Sequence, residues 1–217
     1  MSYPRMIKTI TVGLLLFSPL TAAALTVDHI ATDAELLTML SDTLFVSEGR
    51  IGNNALNGDF EVDLGGDTAA PEEIGQYVWP NGTPVDWSLT YDHLTHLVTF
   101  TVDAIELQWV SQLEGYTDIF VRTRAVDDGT SITVGDLVLD GETVGDVSAA
   151  VGDGLDILWI GEGTLDDGFT MTGTANLSWS GTPPLHSRLA FQIKVGKLAP
   201  VATEAVTWSG VKDLYRR

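Results

Sequence analysis

From Phe169 to Trp179 the chain keeps a period of two over eleven residues, with Phe169, Met171, Gly173, Ala175, Leu177 and Trp179 on one parity and Thr170, Thr172, Thr174, Asn176 and Ser178 on the other. A strand turns successive side chains to opposite faces, so this segment fits a sheet with one face on a core. A helix would scatter the same apolar set around its axis. Shorter runs repeat the pattern: Phe60/Val62/Leu64, Val85/Trp87/Leu89/Tyr91, Val98/Phe100/Val102, Ile105/Leu107/Trp109 and Leu189/Phe191/Ile193/Val195. The last of these carries Arg188, Gln192 and Lys194 on its outward parity. Two continuous runs, 118–126 and 155–160, read as strands buried on both faces.

Asn57-Gly58, Asn81-Gly82, Asp128-Gly129, Asp140-Gly141, Asp153-Gly154 and Asp167-Gly168 punctuate these runs. Such pairs accept the positive φ of tight turns. The one helical signal is Thr32-Asp33-Ala34-Glu35 ahead of Leu36, Leu37 and Leu40, the pattern of a capping box opening a short amphipathic helix. The expected fold is all-β, an antiparallel β-sandwich or jelly roll of about nine to eleven short strands with one short N-terminal helix. Crossover helices for a parallel sheet are missing.

The N-terminus has the three-part layout of a secretory signal: Arg5 and Lys8, an apolar run from Ile10 to Phe17, then Thr21-Ala22-Ala23-Ala24. Cleavage is expected after Ala24, leaving a β-sandwich domain over 25–197 and an edge strand or tail over 198–217. The apolar run is too short to span a bilayer, and the mature chain has no membrane span of about 20 residues. The expected location is therefore secreted or periplasmic. The chain has no cysteine, so no disulfide and no thiolate chemistry supports it there.

The formal net charge is −19, and loss of residues 1–24 moves it to −21 because Arg5 and Lys8 leave with no acid. A field of that sign repels phosphate backbones and anionic headgroups, which excludes nucleic acid as a natural partner. The acids read first as a solvated coat. Extracellular polysaccharide and other envelope components remain as partners, and the sequence leaves the oligomeric state open.

Candidate sites are few. Trp87, Trp109 and Trp179 share the apolar parity of their strands and Trp159 lies in a continuous apolar run, so these four are expected in the core. Trp79, beside Pro80 and the Asn81-Gly82 turn, and Trp208, near the C-terminus, are the candidates for an exposed sugar-stacking platform. Asp127, Asp128, Asp153, Asp156, Asp166 and Asp167 offer hard oxygen ligands on loops, and convergence at one end of a sandwich would make a calcium site, although none matches the twelve-residue calcium loop. His93 and His96 lack a third ligand for zinc, and His29 and His186 read as lone solvated side chains. There is no Gly-x-Ser-x-Gly elbow and no His-Glu-x-x-His helix, and no catalytic residue is nominated.

The strings Asn57-Gly58-Asp59-Phe60-Glu61-Val62-Asp63-Leu64-Gly65, Gln76-Tyr77-Val78-Trp79 and Trp87-Ser88-Leu89-Thr90-Tyr91-Asp92, with Val98 to Val102, Asp136 to Gly141 and Leu177 to Thr182, resemble bacterial exported choice-of-anchor domain proteins, with the W type as the form suggested. The resemblance implies a β-rich envelope or matrix domain and brings no activity with it. The sequence departs from that pattern after Val195, where no Pro-Glu-Pro motif, apolar span or sortase motif follows, so a released or periplasmic product is expected. The function expected is that of a non-enzymatic surface, matrix or adhesion-type protein. A carbohydrate-binding module using exposed tryptophans stands second, and an extracellular polysaccharide hydrolase third.

Overall fold

The computed structural model describes residues 25–66, 71–161, 165 and 167–199. Residues 1–24, with the expected cleavage site at Ala24, as well as Asp166, Trp208 and the chain beyond Ala199, lie outside them. Two antiparallel sheets of seven strands each make the fold. Sheet A runs, in spatial order, β1 (Thr26–Ile30), β12 (Gly154–Gly161), β8 (Asp118–Ala125), β14 (Leu189–Leu198), β2 (Leu40–Arg50), β3 (Val62–Gly65) and β4 (Glu73–Gly75). Sheet B runs β10 (Glu142–Thr143), β9 (Thr130–Leu139), β13 (Phe169–Trp179), β5 (Val85–Asp92), β6 (Leu97–Val102) and β7 (Ile105–Val110), with β11 (Ser148–Val151) also on β9.

The expected sandwich is present, with more strands than the nine to eleven read from the sequence. The additional ones include β4, β10 and β11, each of two to four residues. A segment that short has too few residues to display a period, and its strand character comes from its neighbour in the sheet. Leu198, assigned above to the tail, closes β14, which is an interior strand between β8 and β2.

The inward parities of both sheets meet in one core. Phe45, Val121, Phe191 and Ile193 from sheet A pack with Trp87, Leu89, Phe100, Phe169 and Met171 from sheet B. Tyr91 and Tyr116 meet edge-on with ring centroids 4.7 Å apart, and Phe45 meets Tyr116 at 5.3 Å. Such edge-to-face pairs suit the ring quadrupoles. Gly49 is required where β2 passes beneath the aromatics, because a Cβ there would stand 2.3 Å from the Phe191 ring.

The two outer faces differ in chemistry. Sheet B shows water a hydroxyl lattice in which Thr99, Thr90 and Thr170 form one cross-strand row and Thr101, Ser88 and Thr172 the next. Sheet A is covered along β8 and β12 by α1 (Asp33–Met39), whose Leu36 packs with Ile30, Phe120 and Ile157 in a second, smaller core. This cover explains why 118–126 reads as buried on both faces. The helix is capped as its sequence directs: Thr32 Oγ1 accepts from the Glu35 N–H at 3.1 Å, and the Glu35 carboxylate accepts from the Ala31 N–H at 3.3 Å.

Candidate functional site

Beside α1 the outer face of sheet A opens into a cleft of about 500 Å³. Its walls come from strands paired in register, so side chains far apart in sequence become cross-strand neighbours. One row reads Arg50, Ala190, Arg124 across β2, β14 and β8. The next reads Asp63, Glu48, Gln192, Arg122, beginning on β3. A third reads Val46, Lys194, Phe120. Among the described residues the lysines and arginines are Arg50, Arg122, Arg124, Arg188, Lys194 and Lys197, and four of these six line this one cleft. In a chain of net charge −19 that concentration makes a local positive field on a negative body.

Two of the cations are fixed. Arg122, buried at its stem, donates from Nε and a terminal nitrogen to both carboxylate oxygens of Asp33 at 2.6 and 2.7 Å, tying α1 to β8. Arg50 donates to the Phe60 carbonyl at 2.9 Å and to Ser187 Oγ at 2.6 Å, with its guanidinium 3.6 Å from the centre of the Phe60 ring. Such held guanidiniums lose little freedom when they bind an anion. Arg124 is exposed on the outer wall and Lys194 half-buried on the floor.

The acids are unusual too. Glu48 and Asp63 face each other across β2 and β3, and a second depression of about 180 Å³ continues the cleft over them, sharing Glu48, Arg50, Gln192 and Lys194 with the first. Burial pushes the Asp63 carboxyl up to about 8, reinforced by the Glu48 charge and opposed by Arg50. Burial also raises Glu48, against the hydrogen bond that Gln192 Nε2 donates to it at 2.6 Å and the charges of Arg50, Arg122 and Lys194. Asp33 goes the other way, held low by its Arg122 hydrogen bonds against burial and by the charges of Arg122, Arg124 and Lys194. Asp63 therefore carries its proton at neutral pH, while Asp33 is ionised.

A raised carboxyl sets a sign for stability. The folded state holds the Asp63 proton where the unfolded chain has released it, so the contribution of this group to stability is full below about pH 4 and is lost as pH rises to about 8. Asp63→Asn should flatten that decline and stabilise the protein at pH 8 by about 1–3 kcal/mol. Chemical denaturation at pH 5 and pH 8 measures it. Equal slopes in the two proteins would show Asp63 to be ionised and solvated.

The structure corrects the sequence reading of the tryptophans. Trp79 is 2% exposed, packed edge-on against Tyr77 and Phe191 at 4.9 and 6.0 Å, and is no sugar platform. Its turn is a lid on the sandwich end: Asn81 clasps the Trp179 backbone, donating to its carbonyl at 2.9 Å and accepting from its N–H at 3.0 Å. Trp87 and Trp179 are buried as expected. Trp109, on the edge strand β7, is half-buried against the core, and Trp159 is half-buried on the outer face, where its indole N–H donates to Asp118 at 2.7 Å.

The acidic loops do not converge as a set. Asp127, Asp128 and Asp153 lie at one end of the sandwich, where Gly152 N–H donates to the Thr130 carbonyl and Arg188 Nε donates to both Asp127 oxygens at 2.9 and 2.8 Å. Asp156 sits two residues inside β12, accepting from His29 at 2.8 Å and the Ala149 N–H at 2.9 Å. Asp167 precedes β13 at the end opposite to Gly129, which bonds the chain beyond Trp179. Calcium and magnesium at matched ionic strength are therefore expected to raise the melting temperature by the same small amount, through screening alone. A calcium-specific rise lost in Asp127→Asn would contradict this.

Three of the histidines have carboxylate partners that sequence reading missed. His29 bridges Asp156 and Asp146, the latter at 3.3 Å, and those hydrogen bonds, Asp156 first, raise its pKa. His186 stands 3.3 Å from Asp59. His96 faces Glu114 at 3.5 Å, and no group of three metal-ligating side chains occurs among the described residues. No protein-family model matches the chain, and no curated protein matches it.

Proposed function

We propose that this chain is an exported surface or matrix protein that works by binding, and that the outer-face cleft of sheet A is where it binds. The observation that carries the reading is the gathering of Arg50, Arg122, Arg124 and Lys194 in one depression of a strongly acidic chain. Solubility asks for dispersed charge of both signs, and a cluster that opposes the net charge is suited to an anionic ligand. Export rests on the N-terminal layout described above, with the mature chain starting at Leu25.

Binding is favoured over hydrolysis by the way the cleft's groups are used. A hydrolytic carboxylate pair needs one acid and one ionised partner flanking a scissile bond. Here Glu48 and Asp63 are cross-strand neighbours on one sheet face, so they stand side by side instead of flanking a bond laid in the cleft.

The test has two arms. N-terminal sequencing of protein recovered outside the cytoplasm should begin at Leu25. Purified protein should bind isolated envelope and matrix material of the producing cells, and the double variant Arg124→Glu/Lys194→Glu should lose at least ten-fold of that binding while keeping its melting temperature within a few degrees. Full binding by the double variant would move the site elsewhere.

A further inference from the structure

We infer that the ligand of this cleft is a carboxylate-bearing polysaccharide, a polymer of uronic acids, laid in the cleft on the outer face of sheet A with its carboxylates on Arg124 and Lys194 and its hydroxyls on the acids beside them. The inference rests on the binding role proposed above and names the ligand class for that site.

Shape argues for a polymer. The cleft and its continuation cross β8, β14, β2 and β3, three inter-strand spacings or about 14 Å. Sites for small ligands are mostly apolar, whereas this groove carries an ionisable side chain on each of the four strands it crosses, Arg124 on β8, Lys194 on β14, Glu48 on β2 and Asp63 on β3. The small Ala190 lies between Arg50 and Arg124, so the floor dips between two walls about 10 Å apart.

Chemistry argues for carboxylates spaced by hydroxyls. Guanidinium groups match carboxylate and phosphate alike. Asp33 lines the same groove, however, held ionised beside Arg122, Arg124 and Lys194, and a densely sulfated or phosphorylated polymer would meet its like charge among the cations. A uronic acid carries one charge per ring together with hydroxyls that both donate and accept. Those hydroxyls can donate to Asp33 and Glu48 and accept from the Asp63 carboxyl. An acidic peptide offers the carboxylates without side-chain donors. Neutral sugars, which rely on aromatic stacking, find no exposed tryptophan on this face, because Trp159 is half-buried beneath α1.

The experiment measures affinity of the full mature chain for polygalacturonate and alginate, with fully methyl-esterified polygalacturonate, dextran sulfate and polyglutamate as comparisons, at fixed ionic strength. The uronates should bind at least ten-fold more tightly than the ester, the sulfate or the peptide. Arg124→Gln and Lys194→Gln should each weaken uronate binding several-fold, with unchanged circular dichroism and melting temperature. Equal binding of the methyl ester would overturn the carboxylate. Tighter binding of dextran sulfate or polyglutamate that is still lost in Arg124→Gln would overturn the ligand class and leave the binding cleft standing. No binding of any polymer by the folded chain would overturn the inference, and retained envelope binding in the assay above would then show that the cleft reading survives it.

Discussion

Replacing Trp79 with alanine is expected to cost about 3–5 kcal/mol of unfolding free energy, the range for emptying a large aromatic from a packed core. The indole is 2% exposed, stacks edge-on with Tyr77 and Phe191, and stands where a Cβ on Gly49 would come within 2.9 Å of it. Nothing small can fill that space without moving β2. Trp79→Phe should cost far less, since it keeps most of the ring and removes an indole N–H that has no hydrogen-bond partner. Denaturant midpoints of the two variants measure the difference. An unchanged midpoint in Trp79→Ala would return the side chain to the surface and restore it as a sugar platform.

The second large effect is expected at Glu61. Its carboxylate is fully buried and accepts from the backbone N–H groups of Gly52 at 2.8 Å, Asn53 at 2.8 Å and Asn54 at 2.6 Å. Those bonds offset the burial that raises its pKa, and they fold residues 51–60 around one side chain. The Asn54 side-chain oxygen in turn accepts from the backbone N–H of Trp79 at 2.7 Å, so the loop seats the tryptophan. Glu61→Ala leaves one buried and two half-buried donors without their acceptor and should cost about 2–4 kcal/mol. Because the two sites share Asn54, Glu61→Ala and Trp79→Ala should add to less than their sum. Strict additivity in the double variant would mean that the loop and the indole are independent.

How much of this was legible in the sequence depends on the range over which each feature is encoded. The period of two in β13 and β14, the turn pairs and the Thr32 cap are local, and they appear in the fold where the alternation placed them. Even the outward parity of Gln192 and Lys194 was readable. The cleft was not, because its arginines sit on strands more than seventy residues apart and meet only through the pairing of β14 with both β2 and β8. Arg122 was hidden further by lying in an apolar run, since nothing local says that Asp33 will reach it. Trp79 misled for a related reason: a Pro-Asn-Gly turn normally faces water, but here Asn54 and Asn81 draw the turn and its tryptophan down onto the end of the sandwich.

The same register explains why the cleft is firm. Arg50 and Arg122 are each held by two hydrogen bonds at or below 2.9 Å, one anchored to the loop that Glu61 organises and the other to the capped helix. Positive charge is thus presented by rigid elements, and the exposed Arg124 and half-buried Lys194 complete it.

This face of sheet A, and no other surface, is expected to take the ligand. Nuclear magnetic resonance of the mature chain, observing backbone amides and arginine Nε–H groups during titration with short uronate oligomers, locates the contact directly. The Nε–H signals of Arg50, Arg122 and Arg124 and the amides of outer-face residues on β2, β8 and β14 should move together and saturate together. Shifts confined to the threonine rows of sheet B or to the loops around Asp127, with those arginines unmoved, would contradict it.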